Sequence, residues 1–178
     1  MMKILYVGGA TASEKGAVGT HTSGIISALK KRPDVDLYGV FYREAIPGEI
    51  PKSTELYEKP AIFSIFGKAG KLLALLSYCV FLKKHLARIG ADYLYVRFDP
   101  FFCFFLSFFI DDHKIIVEYN DLFMDQIEYS AARGQWGDGW SKKIRLSNLY
   151  KKFVINSERK CFKSARLVVA VTEELLRY

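Results

Sequence analysis

The stretch Lys3–Lys31 reads KILYVGGATASEKGAVGTHTSGIISALKK and contains the pattern that decides the fold class. Its first five residues are an apolar, β-rich run, which predicts a buried strand. The glycine-containing loop Gly8–Thr20 follows. Apolar side chains then recur at the spacing of one helix face, which predicts a helix over Thr22–Lys31. A strand, a glycine-containing loop and an amphipathic helix in this order indicate the opening of a parallel α/β unit.

The same alternation of strand and helix continues along the chain. Four further apolar runs predict strands: Leu37–Tyr42, Asp92–Arg97, Lys114–Glu118 and Leu167–Val171. Helix-length segments separate most of them: Lys68–Ile89 ended by Gly90, an aromatic helix opened by Pro100, and a basic helix over Ser141–Ser164. Strands this continuously apolar, alternating with helices, predict an α/β fold with a Rossmann-like doubly wound parallel sheet and helices on both faces.

One segment interrupts the alternation. Residues Arg43–Pro60 hold three of the five prolines, so this segment predicts a long loop. A short strand is expected after it, near Ile62–Ile65. The length of 178 residues suits a single domain with a sizeable core.

The composition limits the class of protein. Half of the residues are apolar, which excludes a disordered chain. Cys79, Cys103 and Cys161 lie far apart and predict reduced thiols in the cytoplasm, without a disulfide framework or a zinc ribbon. No signal peptide is expected at the N-terminus. The apolar runs Leu72–Leu82 and Phe101–Ile110 are shorter than the roughly 20 residues that span a bilayer, so both predict buried helices, with segments that dip into a membrane as the alternative.

The net charge of +7 is concentrated in one segment. Between Ser141 and Arg166 the only acid is Glu158, and nine residues are basic: Lys142, Lys143, Arg145, Lys151, Lys152, Arg159, Lys160, Lys163 and Arg166. Two interpretations stay open, a solvated helix face or a patch that contacts anionic lipid or phosphate. Nucleic acid is not expected as a partner, because no recognised nucleic-acid motif accompanies the charge.

Ligands of parallel α/β sheets bind at the carboxyl ends of the strands, so functional residues are sought there. The amides of Gly8–Thr20 could approach a phosphate at the start of the following helix, although an ordinary flexible turn would have the same composition. The loop lacks the dinucleotide fingerprint, because Gly8 and Gly19 are eleven residues apart.

Charged and polar residues follow two of the later strands. Arg97 and Glu118 are candidates for ligand contacts, since charges at strand ends need a partner or a ligand. The alternative is a structural ion pair of Arg97 with Asp99 or with Glu118. Asn120 is a further candidate, or simply a turn residue. No cluster of metal-ligand spacing occurs, so no metal site is expected.

Four stretches, taken in order, resemble the retaining glycosyltransferases of family 4, whose GT-B fold consists of two facing Rossmann-like domains. The family's first helix begins with a pattern like G-G-x-x-x-H, and here Gly16–His21 reads GAVGTH. A D-x-x-x-x-H-x-x-P strand is similar to Asp92–Pro100, with Arg97 in the place of the histidine. Glu118–Asp121 is similar to the polar end of a later strand, and Glu158–Glu173 to the segment before the domain crossover.

This resemblance implies that residues 1–178 are the N-terminal, acceptor-side half of a GT-B enzyme, inactive without a C-terminal donor-binding domain. The whole protein would transfer a sugar from a nucleotide diphosphate sugar to a glycan or lipid-linked acceptor, without a cofactor. The donor phosphates would be approached by Gly16, Ala17, Val18 and Gly19. The acceptor and the reacting sugar would be faced by His21, Arg97, Glu118 and Asn120, with Arg97 as a charge stabiliser because a guanidinium cannot act as a base.

Two other functions fit the same sequence features. A sugar-nucleotide epimerase of the same two-domain fold is one, and a non-catalytic binding domain is the other.

Overall fold

The computed structural model describes residues 1–8, 17–42, 50–111, 114–119, 128–129, 132–133 and 146–170. In these residues the elements are β1 (Met2–Val7), α1 (Ala17–Lys30), β2 (Val35–Tyr42), β3 (Ser53–Tyr57), a 3₁₀ helix (Ala61–Phe66), α2 (Gly67–Ile89), β4 (Tyr93–Arg97), α3 (Pro100–Leu106), β5 (Ile115–Tyr119), α4 (Asn148–Ser164) and β6 (Leu167–Ala170).

The described strands form one six-stranded sheet in the order β3-β2-β1-β4-β5-β6, and every neighbouring pair is parallel. This is the strand order of a Rossmann-like sheet, in which the direction of winding reverses between β1 and β4. The predicted α/β class and doubly wound parallel sheet are therefore confirmed. The reversal also identifies the crevice beyond β1 and β4 as the place where a ligand is expected to bind.

Helices cover both faces of the sheet because side chains alternate along each strand. On one face, Leu5 and Val7 belong to a core that includes residues of α2 and α3, with residues of α4 packed against it. On the other face, Ile4 and Tyr6 pack with Ile26 of α1. Within the described residues, α1 thus lies on the opposite side of the sheet from the other three α-helices.

Local sequence signals explain where the helices begin and end. Gly90 ends α2 in the left-handed region, at φ 62° and ψ 42°, where a residue without a Cβ is favoured. Asp99 caps α3, because its Oδ1 accepts a hydrogen bond from the backbone N–H of Phe102 at 2.8 Å, and Pro100 follows as the first helical residue. Ser147 caps α4 through the N–H of Tyr150.

Three boundaries differ from the predictions. The predicted loop Arg43–Pro60 contains β3, a half-exposed strand paired only with β2 among the described residues. An exposed edge strand needs few apolar residues, so the sequence of β3 contains no apolar run that predicts a strand. Residues Ile62–Ile65 lie in the 3₁₀ helix and not in a strand. The basic helix begins at Asn148, after its cap, while residues 141–145 lie outside the described residues.

The two apolar runs are only partly buried, which corrects the expectation of buried helices. Leu72, Leu73 and Val80 of α2 are exposed, and so are Phe101 and Phe108 at the two ends of the second run. The three side chains of α2 lie on the outer side of a helix whose inner side packs in the core, whereas Phe108 follows the end of α3. No helix in the described part of the chain is both long enough and apolar enough to cross a membrane.

Gly8 allows a close contact at the carboxyl end of β1. A Cβ at this position would lie 2.2 Å from the ring of Phe41, which is fully buried. We expect Gly8→Ala to lower the free energy of unfolding by about 2 kcal/mol, because a buried ring has to move. The control is Gly24→Ala in α1, where no atom lies within 4 Å of the added methyl. This control should raise the free energy of unfolding by about 0.5–1 kcal/mol, since alanine favours helix. Urea unfolding measures both, and equal effects would contradict the contact.

Candidate functional site

The candidate site lies on the α1 face of the sheet, at the carboxyl ends of β4 and β5. Arg97 is the last residue of β4 and pairs in register with Glu118 of β5. Alternation along these strands places both side chains on the same face as Tyr95 and Ile116, which pack in the α1 core. Two residues of opposite charge predicted from strand ends are therefore neighbours beside the switch point of the sheet.

His21 of α1 joins this pair. Its Nε2 lies 2.8 Å from Oε1 of Glu118, within hydrogen-bond distance. The Glu118 side chain is fully buried, whereas that of His21 is 37% exposed. The imidazole therefore connects a buried carboxylate with the surface of the domain. This contact also fixes the first turns of α1 above the end of β5.

Two polar atoms of the site lack protein partners. Nη1 of Arg97 and Oε2 of Glu118 are buried, and neither atom has a hydrogen-bond partner among the described residues. Leaving such a group unsatisfied costs about 1–3 kcal/mol, so most buried polar atoms in proteins are paired. A donor and an acceptor on neighbouring strand ends would together satisfy the hydroxyl groups of a ligand, because a hydroxyl both donates and accepts.

Two tyrosines extend the site beneath α1. Tyr6 and Tyr95 pair in register, and their rings stack with centroids 5.3 Å apart. Burial and, secondarily, the charge of Glu118 raise the pKa of Tyr6 to about 12, against the opposing effects of a hydrogen bond with Thr22 and of Arg97. Burial, then the charge of Glu118 and a hydrogen bond with its carboxylate, raise the pKa of Tyr95 strongly. Both phenols therefore stay neutral and can act as hydrogen-bond donors near the carboxylate.

These tyrosines were not predicted as site residues. The available signal was the alternation Tyr93, Tyr95, Arg97, which places polar-tipped side chains at every second position toward the strand end. Thr22 also belongs here, since it is buried on the sheet side of α1. A buried threonine in the second turn of a helix gives little sequence signal.

The structure brings some of the predicted site residues together and not others. His21 contacts Glu118, and Arg97 is the neighbour of Glu118 in the sheet. Ala17, Val18 and Gly19 belong to the first turn of α1, so the predicted loop Gly8–Thr20 is wrong in its last four residues. Gly16 and Asn120 lie outside the described residues.

The alternative of a structural ion pair of Arg97 with Asp99 or Glu118 leaves Nη1 of its guanidinium unexplained. Asp99 caps α3, and Nη1 has no hydrogen-bond partner among the described residues. In the chain as far as it is described, no group of three His, Cys, Asp or Glu side chains is arranged to hold a metal ion.

Comparison with models of known protein families and with curated proteins finds no match for this sequence.

Proposed function

We propose that this chain is the acceptor-side domain of a retaining glycosyltransferase, which moves a sugar from a nucleotide diphosphate sugar to a glycan or lipid-linked acceptor. The observation that carries the proposal is the pair of buried, unpartnered atoms on Arg97 and Glu118, next to the reversal of strand order. A carboxylate oxygen beside a guanidinium suits a sugar ring, whose neighbouring hydroxyls offer both donors and acceptors.

Each side chain has a distinct task in this proposal. Oε2 of Glu118 accepts a hydrogen bond from an acceptor hydroxyl, while Arg97 donates to a second oxygen and stabilises negative charge that develops in the reaction. His21 holds Oε1 of Glu118, so that the other carboxylate oxygen stays directed at the ligand. The first turn of α1 includes Ala17–Gly19, and the backbone N–H groups of a first turn have no partner inside the helix, which suits them to the donor phosphates.

The donor is held largely by a second domain in this proposal, as in the GT-B enzymes that the sequence resembles. Neither a metal nor another cofactor is part of the proposed reaction. The cytoplasm is the proposed location, in keeping with the free thiols of Cys79, Cys103 and Cys161.

Sugar binding to the 178-residue chain tests the proposal. A panel of mono- and oligosaccharides is titrated by ligand-observed NMR, with Glu118→Gln as the test variant and Glu58→Gln, at an exposed position, as the matched control. We expect Glu118→Gln to weaken binding by about tenfold or more, because a hydrogen bond to a charged group contributes about 1.5–3 kcal/mol. Glu58→Gln should leave the affinity unchanged.

The same chain is then incubated with UDP-, GDP- and ADP-sugars and the bound acceptors, and no turnover is expected. Turnover by the chain alone would contradict the proposal. So would a saccharide affinity that is the same for Glu118→Gln as for the wild-type chain. Tight binding of nucleotide sugars without any acceptor would favour the epimerase, and no binding at all would favour a domain without this chemistry.

A further inference from the structure

Helices α3 and α4 pack side by side through aromatic rings. The centroid of the Phe101 ring lies 4.8 Å from that of Phe153, and the Phe104 ring lies 5.2 Å from the same Phe153. Lys160 of α4 donates a hydrogen bond to Ser107, just after α3, at 2.8 Å. The two helices therefore form one continuous outer surface, on the opposite side of the sheet from α1.

Large apolar side chains are exposed on this surface. Leu149 is 81% exposed, Phe108 is 63% exposed and Phe101 is 41% exposed. A solvated helix face explains charged residues but gives no reason for these three side chains.

The same helix, α4, carries exposed cations. The exposed basic residues of α4 are Lys152, Arg159, Lys160 and Lys163. The ammonium group of Lys160 lies 4.7 Å from the ring centroid of Phe108, which places charge directly beside this exposed ring. The acid of α4, Glu158, hydrogen-bonds Tyr119, and Lys151 of the same helix pairs with Glu128. The four exposed basic residues give the helix an excess of positive charge over its single acid.

We propose that this surface binds an anionic lipid bilayer. It is called the α3–α4 face here and consists of Phe101, Phe108, Leu149, Lys152, Arg159, Lys160 and Lys163. Phe108 and Leu149 enter the headgroup region, and the four cations contact lipid phosphates. A bilayer fits better than a nucleic acid, because Leu149 offers no ring for base stacking and one side of the Phe108 ring is already occupied by Lys160.

This inference does not depend on the proposed sugar transfer, since the α3–α4 face and the Arg97–Glu118 site lie on opposite faces of the sheet. Membrane binding and saccharide binding can therefore fail separately.

Sedimentation with lipid vesicles tests the α3–α4 face. The 178-residue chain is mixed with phosphatidylcholine vesicles, with or without about one third phosphatidylglycerol, at low and at high salt. We expect binding to the anionic vesicles at low salt and release at about 0.5 M salt, where charges are screened. The double variants Phe108→Ser/Leu149→Ser and Lys152→Gln/Lys163→Gln should each reduce the partition coefficient by about tenfold or more.

Two matched controls separate this face from general charge and general apolar exposure. Lys83→Gln/Lys84→Gln removes two exposed cations from α2, and Ile65→Ser/Phe66→Ser removes two exposed apolar side chains from the 3₁₀ helix. Neither should change the partition coefficient by more than about twofold. Circular dichroism checks that every variant folds.

The proposal is overturned if the chain stays in the supernatant with anionic vesicles at low salt. It is equally overturned if a control pair reduces binding as much as the variants of the α3–α4 face do. A single-stranded oligonucleotide that binds through the four cations, without any effect of Phe108→Ser/Leu149→Ser, would identify nucleic acid as the partner instead.

Discussion

His21→Ala is expected to lower the free energy of unfolding by about 3 kcal/mol. The substitution leaves the fully buried carboxylate of Glu118 without its hydrogen-bond partner, and removal of one partner from a buried pair costs about 3–5 kcal/mol. The lower end of this range applies because His21 is partly exposed. Urea unfolding at neutral pH, followed by circular dichroism, measures the change. Lys31→Ala, at an exposed position directly after the same helix, should change the value by less than about 0.5 kcal/mol.

Glu118→Met should cost less than His21→Ala. An apolar side chain of similar length removes the buried charge together with its unpartnered oxygen, and the His21 side chain that loses its partner is 37% exposed and can bind water, so the free energy of unfolding should fall by less than about 1.5 kcal/mol. The double variant His21→Ala/Glu118→Met should be more stable than His21→Ala alone. A carboxylate that stability does not require, but that ligand binding does, is characteristic of a functional site. If Glu118→Met costs as much as His21→Ala, Glu118 has a structural role and the functional interpretation of the site fails.

A loss of stability between about pH 10 and pH 12 is expected from the buried Tyr6. Its pKa rises from 10.0 to about 12 in the folded chain, mainly because of burial and then because of the charge of Glu118. A raised pKa means that the folded chain holds the phenol proton more tightly than the unfolded chain. The stabilisation is therefore complete below pH 10 and is lost as the pH rises toward 12. A rise of the pKa of Tyr6 from 10.0 to about 12 corresponds to about 2.7 kcal/mol in the free energy of unfolding.

The measurement is urea unfolding at several pH values from about 9 to 11.5. Tyr6→Phe should make the decline smaller, because this variant has no phenol proton to lose at position 6, while the buried Tyr95 still contributes. Tyr129→Phe, at an exposed position, should leave the decline unchanged. Equal pH profiles for the wild-type chain and Tyr6→Phe would show that the folded chain does not protect the Tyr6 proton.

The sequence predicted the sheet well because its central strands are apolar on both faces. β1, β4 and β5 are paired on both sides, and their residues form the two cores. The errors concern the segments where burial is weaker. β3 is a half-exposed edge strand, and α1 begins with Ala17–Thr20, a run in which glycine and threonine resemble loop residues.

The site was predictable only in part. Arg97 and Glu118 follow from the rule that parallel strands end at the same edge of a sheet, and their register confirms that they are neighbours. The contact between His21 and Glu118 joins residues 97 positions apart, and no local pattern specifies the rotation of α1 that makes it. The burial of Tyr6 and Tyr95 likewise depends on which face α1 covers.

The pairing of β1 with β4 has a consequence for how the molecule folds. Ile4 pairs with Tyr93, so this ladder closes a long stretch of chain that contains α1, β2, β3 and α2. Non-local parallel pairings form slowly, because the entropy of closing the loop is lost before the contacts compensate for it. Since the crevice lies above this ladder, a folding intermediate without it has no site. If ligand binding is measured during refolding, the signal should therefore come only from molecules in which the β1–β4 ladder has formed.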